Sequence, residues 1–276
     1  MIDYHMHTKL CGHASGEMED YVKEAIRNGL DEIGFSDHLP MNDGKENNLT
    51  MTLEELPVYI SKVMHLRKSF PEIQIKLGIE ADYIPGNESY IKEILTRYPF
   101  DYVIGSVHYI GKWAFDHPKE LKGWDKKNVD LVYKEYYELL RESARTSLFD
   151  IIGHCDLVKK FGHRPKNGLL KELNETAQVF KEYKVALEIN TSGLRKPVNE
   201  IYPSLEILKL YREHGIHIVF GSDAHAPDDV GRDFDKAILL ARQAGYKEFV
   251  TFDNRKSSAH KLNYSRRHEE LNASIT

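Results

Sequence analysis

Cysteine is nearly absent from this 276-residue chain, where Cys11 and Cys155 are the only two. Two thiols provide no disulfide framework and fit a reducing compartment. Long apolar runs are missing too, so no stretch suffices to span a bilayer as a helix. The start, Met1-Ile2-Asp3-Tyr4-His5, lacks the basic residues and apolar run of a signal peptide. These absences predict a cytoplasmic protein with no membrane association. There is no excess of positive charge either: the formal net charge is −5, which argues against a nucleic-acid partner. Local basic groups remain available for a small phosphorylated molecule. No Cys-x5-Arg loop and no Asp-x-Asp start of an aspartyl-phosphate enzyme is evident, so chemistry through a phosphoenzyme is not expected.

A hydrophobic fraction of 41% beside 29% charged residues is the balance of an ordinary globular protein. Short β-branched runs alternate with amphipathic stretches. Strands are predicted near 2–5, 32–36, 75–81, 102–107, 151–154, 186–190 and 217–221, with a weaker one near 248–252. Helices are predicted over 18–28, 53–69, 88–98, 129–146, 169–183, 204–214 and 235–244. In the 129–146 stretch, Leu131, Tyr133, Tyr136, Tyr137, Leu139 and Leu140 recur at mixed three- and four-residue spacing, and the tyrosines read as core. Alternation of this kind favours parallel strands with crossover helices, either closed as a barrel or open and doubly wound.

Polar groups decide between the two. His7, His38, Glu80, His108, His154, Arg195 and Asp223 lie at or just after the C-terminal ends of seven different predicted strands. In a β/α barrel those ends converge on one face, whereas an open sheet would spread them along a line. The expected fold is therefore a single-domain α/β barrel over 1–256, with a polar C-terminal tail over 257–276. Two long loops, 40–50 after His38 and 110–127 after His108, are expected to cover its mouth.

Seven of the fourteen histidines are metal-ligand candidates: His5, His7, His13, His38, His108, His154 and His225, with Glu80 and Asp223. Imidazole nitrogen and carboxylate oxygen bind zinc, iron or manganese. His5 and His7, at alternate positions of a strand, point to one face. Nine such groups are too many for one ion and indicate a cluster.

In order, the signatures are His5-x-His7 with His13, Ser36-Asp37-His38, Gly78-x-Glu80, Ser106-x-His108, Gly153-His154-x-Asp156 and Gly221-Ser222-Asp223-Ala224-His225. Over nearly its whole length the chain resembles the polymerase-and-histidinol-phosphatase (PHP) superfamily of metal-dependent phosphoesterases. It is most similar there to the histidinol-phosphate phosphatases, through Gly105-Ser106-Val107-His108-Tyr109, Trp113-Ala114-Phe115-Asp116 and the segment from Glu188 to Lys196. The resemblance implies a distorted seven-stranded (β/α) barrel holding three divalent transition-metal ions. It implies His5, His7, Glu80 and Asp223 for the first ion, and His108 and His154 for the second, with Glu80 bridging. His13, His38 and His225 would hold the third.

The implied activity is hydrolysis of L-histidinol phosphate to L-histidinol and phosphate in histidine biosynthesis, by a metal-bridging hydroxide attacking phosphorus. Nucleotide phosphates or nucleic-acid ends are the alternative substrates, and a metal-binding domain without activity is the alternative class. Glu80 and Asp223 would organise the metals. Arg195 is the first candidate for the phosphate clamp because its planar fork matches two phosphate oxygens, and Arg164 with His163 is the second. Asp37 and Asp156 each either orient a neighbouring ligand or bond loop backbone. Asp116 and Trp113 either meet the substrate's amine and imidazole or shape their loop. Arg232 reads as a surface ion pair, and Glu17 as serving the start of a helix. His65, His117, His214, His217, His260 and His268 read as surface or packing residues.

Overall fold

The structure is a computed structural model that describes residues 1–41 and 49–262. Most of the 40–50 loop, and the tail beyond 262, lie outside the described residues.

The chain runs β1 (Ile2–Asp3), α1 (Met18–Arg27), β2 (Glu32–Phe35), α2 (Leu56–Ser69), β3 (Gln74–Asp82), α3 (Glu88–Arg97) and β4 (Tyr102–Ser106). A small hairpin follows, β5 (Tyr109–Ile110) and β6 (Trp113–Ala114), then α4 (Val129–Arg145), β7 (Ile151–Ile152), α5 (Leu170–Tyr183) and β8 (Ala186–Asn190). The last elements are α6 (Leu205–Glu213), β9 (Ile218–Gly221), α7 (Phe234–Gln243), β10 (Glu248–Asp253) and β11 (Lys256–Lys261). Seven strands form one parallel sheet in the order β1-β2-β3-β4-β7-β8-β9. Every residue of β2, β4, β8 and β9 is buried, as expected of parallel strands covered on both faces.

Edge meets edge. Tyr4 N–H donates to the Phe220 carbonyl at 3.0 Å and His7 N–H to that of Ala224 at 2.9 Å, while Ala224 N–H returns to His5 at 3.1 Å. These bonds join the end of β1 to the end of β9 and leave a nearly closed seven-stranded barrel.

Inside it, Tyr102 reaches from β4 across the floor to donate to the Tyr4 carbonyl at 2.7 Å, its ring stacked on that of Tyr4. Glycines on β2 and β3 make this crossing possible. A Cβ on Gly34 would lie 2.0 Å from the Tyr102 hydroxyl, and one on Gly78 2.3 Å from Cζ.

The weak eighth strand forms but does not enter the barrel. β10 pairs antiparallel with β11 instead, and the hairpin covers the N-terminal end of the barrel. Phe252 N–H donates to the Tyr4 hydroxyl at 2.9 Å, Arg255 N–H to the Asp101 carbonyl at 2.8 Å and the Arg255 guanidinium to the Leu148 carbonyl at 2.6 Å and to Asp150. A tail beginning at 257 is thus corrected for its first residues, because Ser257–Lys261 complete this ladder. The 110–127 loop is also more regular than expected, holding the β5–β6 hairpin and a 3-10 stretch from Pro118 to Lys126. In α4, Tyr133, Tyr136 and Tyr137 are core residues, but Leu131 points outward at 60% exposure.

Candidate metal centre and substrate cavity

The seven strand ends deliver their polar groups to one point, and Glu80 is its hub. Oε2 of Glu80 lies 3.3 Å from His5 Nε2, 3.6 Å from His7 Nε2 and 3.0 Å from His38 Nδ1. Its other oxygen, Oε1, lies 3.2 Å from His154 Nε2 and 3.8 Å from His108 Nε2, and accepts from the Ser106 hydroxyl at 2.6 Å. One carboxylate therefore faces five imidazoles, three on one oxygen and two on the other. Asp223 adds a second carboxylate, with Oδ1 3.3 Å from His7 Nε2 and 4.0 Å from His5 Nε2. His13 and His225 complete the set, their Nε2 atoms 3.0 Å apart. All nine expected ligand candidates are brought together. Donor atoms of His5, His7 and Asp223 lie within 4.8 Å of one another, as do those of His5, Glu80 and His154, and those of His7, His38 and His225. His13 groups with His225 and with Cys11, which had no role in the sequence reading.

The residues fit metal ions. His5 Nε2 and Glu80 Oε2 are buried without a hydrogen-bond partner although they point at the same space. Buried polar atoms normally find one, and a cation between them would satisfy both. The donor set, imidazoles with carboxylates, is that of zinc, iron or manganese sites.

Charges inside the cluster lean on each other. Burial alone would raise the Glu80 and Asp223 pKa values. The His5 charge, with His38 for Glu80 and with His7 and His225 for Asp223, outweighs it and holds both carboxyls well below the usual range. Burial presses down on the imidazoles in turn. Carboxylates nevertheless lift His5 well above its ordinary value, His7 to about 9 through Asp223 and Asp37, and His108 to about 10 through Asp82. His225, buried and facing His7, is pushed well below the ordinary imidazole value.

A cavity of about 630 Å³ opens above the cluster, with Asp116, Lys160, Arg195, Lys196 and His117 in its wall. Arg195 is pinned by one edge: Nη2 donates to the Ser222 carbonyl at 2.6 Å and Nε lies 3.5 Å from Asp229 Oδ1. Its Nη1 is buried with no hydrogen-bond partner. Lys160 pairs with Asp116 at 2.9 Å. Burial lowers the Lys196 pKa, which makes a nearby anion welcome.

Arg164 and His163 do not reach this cavity, which corrects the second clamp expectation. Arg164 pairs with Glu200 at 2.6 Å, and His163 stacks on Trp124 at 4.3 Å. Asp156 bonds Ser204 N–H at 2.9 Å and Lys159 at 2.8 Å, a structural tie. Asp37 contacts the ring of His7, at Nδ1 3.4 Å away, and not that of His38, which it precedes and from whose backbone N–H it accepts at 2.8 Å. Trp113 donates to the Glu120 carbonyl at 3.3 Å and so serves its loop. Arg232 pairs with Asp229 at the surface, and Glu17 sits at the start of α1, paired with Lys9. His117, expected at the surface, lines the cavity instead.

Sequence reasoning missed Glu188 and Asp82. Glu188 Oε1 lies 2.6 Å from His5 Nδ1, and Asp82 Oδ1 2.6 Å from His108 Nδ1. Both carried a signal. Glu188 is an acid inside the apolar strand Ala-Leu-Glu-Ile-Asn, and Asp82 stands two residues after Glu80, on the same face.

The profile of the PHP domain matches residues 3–192. The chain belongs to the PHP domain family. Within it, the chain falls among the histidinol-phosphatases. It is 40% identical over 93% of its length, and 98% of the relative's, to a Deinococcus radiodurans protein named "Probable histidinol-phosphatase". It is 29% identical to the histidinol-phosphatase of Bacillus subtilis over 84% of its length and 96% of the relative's. Among solved structures it superposes with a TM-score of 0.79 and 26% identity on a histidinol phosphate phosphatase from Lactococcus lactis, over 93% of this chain and 98% of that one. That protein is in complex with zinc, L-histidinol and phosphate.

Proposed function

We propose that the chain is a phosphoric monoester hydrolase that converts L-histidinol phosphate to L-histidinol and phosphate, with three divalent transition-metal ions. The observation that carries the chemistry is the Glu80 carboxylate set among five imidazoles, each of its oxygens serving a different group. The names of the relatives, and the ligands of the Lactococcus structure, support the substrate. His5, His7, Glu80 and Asp223 would hold one ion, His108, His154 and Glu80 a second, and His13, His38 and His225 a third. Bound there, the ions supply activation of a water nucleophile and neutralisation of phosphoryl charge.

The chain's own residues do the rest. Arg195 offers its unpartnered Nη1 to a phosphoryl oxygen while Ser222 and Asp229 fix its orientation, so the donor is in place before charge develops. Lys196 adds positive charge on the same wall. Asp116, lining the cavity against Lys160, is an acceptor within reach of a substrate ammonium. With a histidine-biosynthetic role, a cytoplasmic location is expected.

The test is steady-state turnover of L-histidinol phosphate beside nucleotide and sugar phosphates, with metals quantified in the same preparation. The expected kcat/KM for histidinol phosphate exceeds every rival by at least about a hundredfold, near 3 kcal/mol of discrimination. Equal turnover of nucleotides would leave the site chemistry standing and remove the substrate assignment.

A further inference from the structure

Strand β8 contributes no ligand to the cluster, yet its Glu188 touches two strands that do. The side chain is buried, 1% exposed, between β7 and β9. Its Oε1 lies 2.6 Å from His5 Nδ1 on the far side of β9. Its Oε2 accepts from the backbone N–H of His154 at 2.8 Å and from Asn190 Nδ2 at 3.1 Å. Room for this carboxylate comes from Gly221, where a Cβ would lie 2.0 Å from Oε1. That close approach gives the glycine in Gly221-Ser222-Asp223 a reason independent of turn geometry.

The two contacts do different things. A carboxylate can only accept, so Nδ1 of His5 must carry a proton and Nε2 presents its lone pair to the cluster when the ring is neutral. His154 is handled through its backbone. Its φ is +22°, a left-handed conformation that costs a non-glycine residue energy. Its Nδ1 has no hydrogen-bond partner. Four other imidazoles are steered through the ring: His7 by Asp37, His108 by Asp82, His13 by the Cys11 carbonyl and His225 by that of Asp223. Where the His154 ring goes is decided by where its backbone is held, and Glu188 is one of the groups that hold it.

We propose that Glu188 is the positioning residue that aims His5 and His154 together at the space around Glu80, so that one carboxylate outside the ligand set controls ligands from two strands. The proposal rests on reading His5 and His154 as metal ligands. Glu188→Gln is the informative change, because it keeps shape and removes one acceptor. An amide has a single oxygen, so its NH2 must face either the His5 Nδ1 proton or the His154 N–H. In the first case His5 is driven to the other tautomer, with a proton where the metal should be. In the second the His154 backbone loses its anchor.

The measurement is metal content and resistance to a competing chelator for the full chain and for Glu188→Gln, Glu188→Asp, Glu32→Gln and His5→Ala. Cobalt(II) absorption spectra and melting temperatures are recorded on each. Glu32 is a buried carboxylate bonded to the Tyr4 hydroxyl, away from the cluster, and controls for loss of a buried acid. Glu188→Gln is expected to lose roughly 10–100-fold in metal affinity and to alter the cobalt spectrum. Glu188→Asp should fall between it and the parent, and Glu32→Gln should bind metal as the parent does. If Glu188→Gln does not fold, the aspartate variant carries the same comparison. Parental chelator resistance and spectrum in both Glu188 variants, with metal lost from His5→Ala, would overturn the role of Glu188 and leave the ligand reading intact. Unchanged metal binding in His5→Ala as well would remove both.

Discussion

His13 and His225 face each other through Nε2 atoms 3.0 Å apart, while each far nitrogen is held by a backbone carbonyl, Cys11 at 2.8 Å and Asp223 at 3.0 Å. The carbonyls require protons on both Nδ1 atoms. Two bare nitrogen lone pairs are then opposed, an arrangement that a shared cation relieves. Replacing His13 by Ala is expected to remove about one equivalent of metal per chain and to lower kcat at least about tenfold. Elemental analysis beside initial rates checks it. An unchanged metal count would show that the pair is held for another reason.

Arg195→Ala should lower kcat/KM for a phosphate monoester by about 10²–10³, the usual cost of losing one preorganised donor to a developing oxyanion. Arg195→Lys should recover only part of this, since an ammonium cannot keep the Ser222 and Asp229 contacts and also present a second nitrogen. Arg164→Ala is expected to stay within about threefold of the parent, a surface-pair effect of under 1 kcal/mol. Comparable losses at both arginines would contradict the geometry.

Metal retention should fall as pH falls. In the metal-free cluster His7 is raised to about 9 and His108 to about 10, so an incoming ion must displace a proton from each at neutral pH. Apparent affinity then drops by up to about tenfold per pH unit for each imidazole titrated. The metal-free fold has the opposite slope. Raised imidazole pKa values give stability that is fully present below the ordinary 6.5 and lost as pH rises through about 9 and about 10. Chelator competition from pH 6 to 8, with denaturation of metal-free protein near pH 6.5 and pH 10, reads both slopes. A flat pair of curves would mean that these imidazoles are neutral without metal.

Gly34→Ala should destabilise the fold more than a typical surface change, because the new methyl lands 2.0 Å from the Tyr102 hydroxyl and Tyr102 has no free side to move to. The overpacking cost is about 1–3 kcal/mol. Tyr102→Ala, which empties the floor, should cost about 3–5 kcal/mol. The double variant should cost less than the sum, since removing the ring removes the clash. Urea denaturation of the three proteins decides it, and strict additivity would separate the two residues.

Much of this was legible in the chain. The seven barrel strands announced themselves because parallel strands covered on both faces are mostly apolar, and the ligands because most lie at or just after the end of such a strand. The β10–β11 pair was half legible. β10 has buried apolar positions, but β11, Lys-Ser-Ser-Ala-His-Lys, is polar and exposed and has no pattern of its own. Its strand state is imposed by its partner. Arg164 was misplaced because sequence puts it after a barrel strand but says nothing of Glu200, which claims its guanidinium. Glu188 was missed because it lies inside its strand rather than at its end, and Asp82 because it falls just past the predicted strand and behind Glu80. Their significance lies in which nitrogen they touch, and that requires coordinates.

The hairpin over the N-terminal end has a kinetic corollary. With Phe252 and Arg255 fastened across that end, the cavity beside Lys160 and Arg195 is, among the described residues, the opening to the cluster. On the proposed reading, phosphate forms at the metal cluster and the alcohol lies on its cavity side. Product release is then expected to be ordered, alcohol first and phosphate last. Inorganic phosphate should accordingly inhibit in competition with substrate, and the alcohol non-competitively.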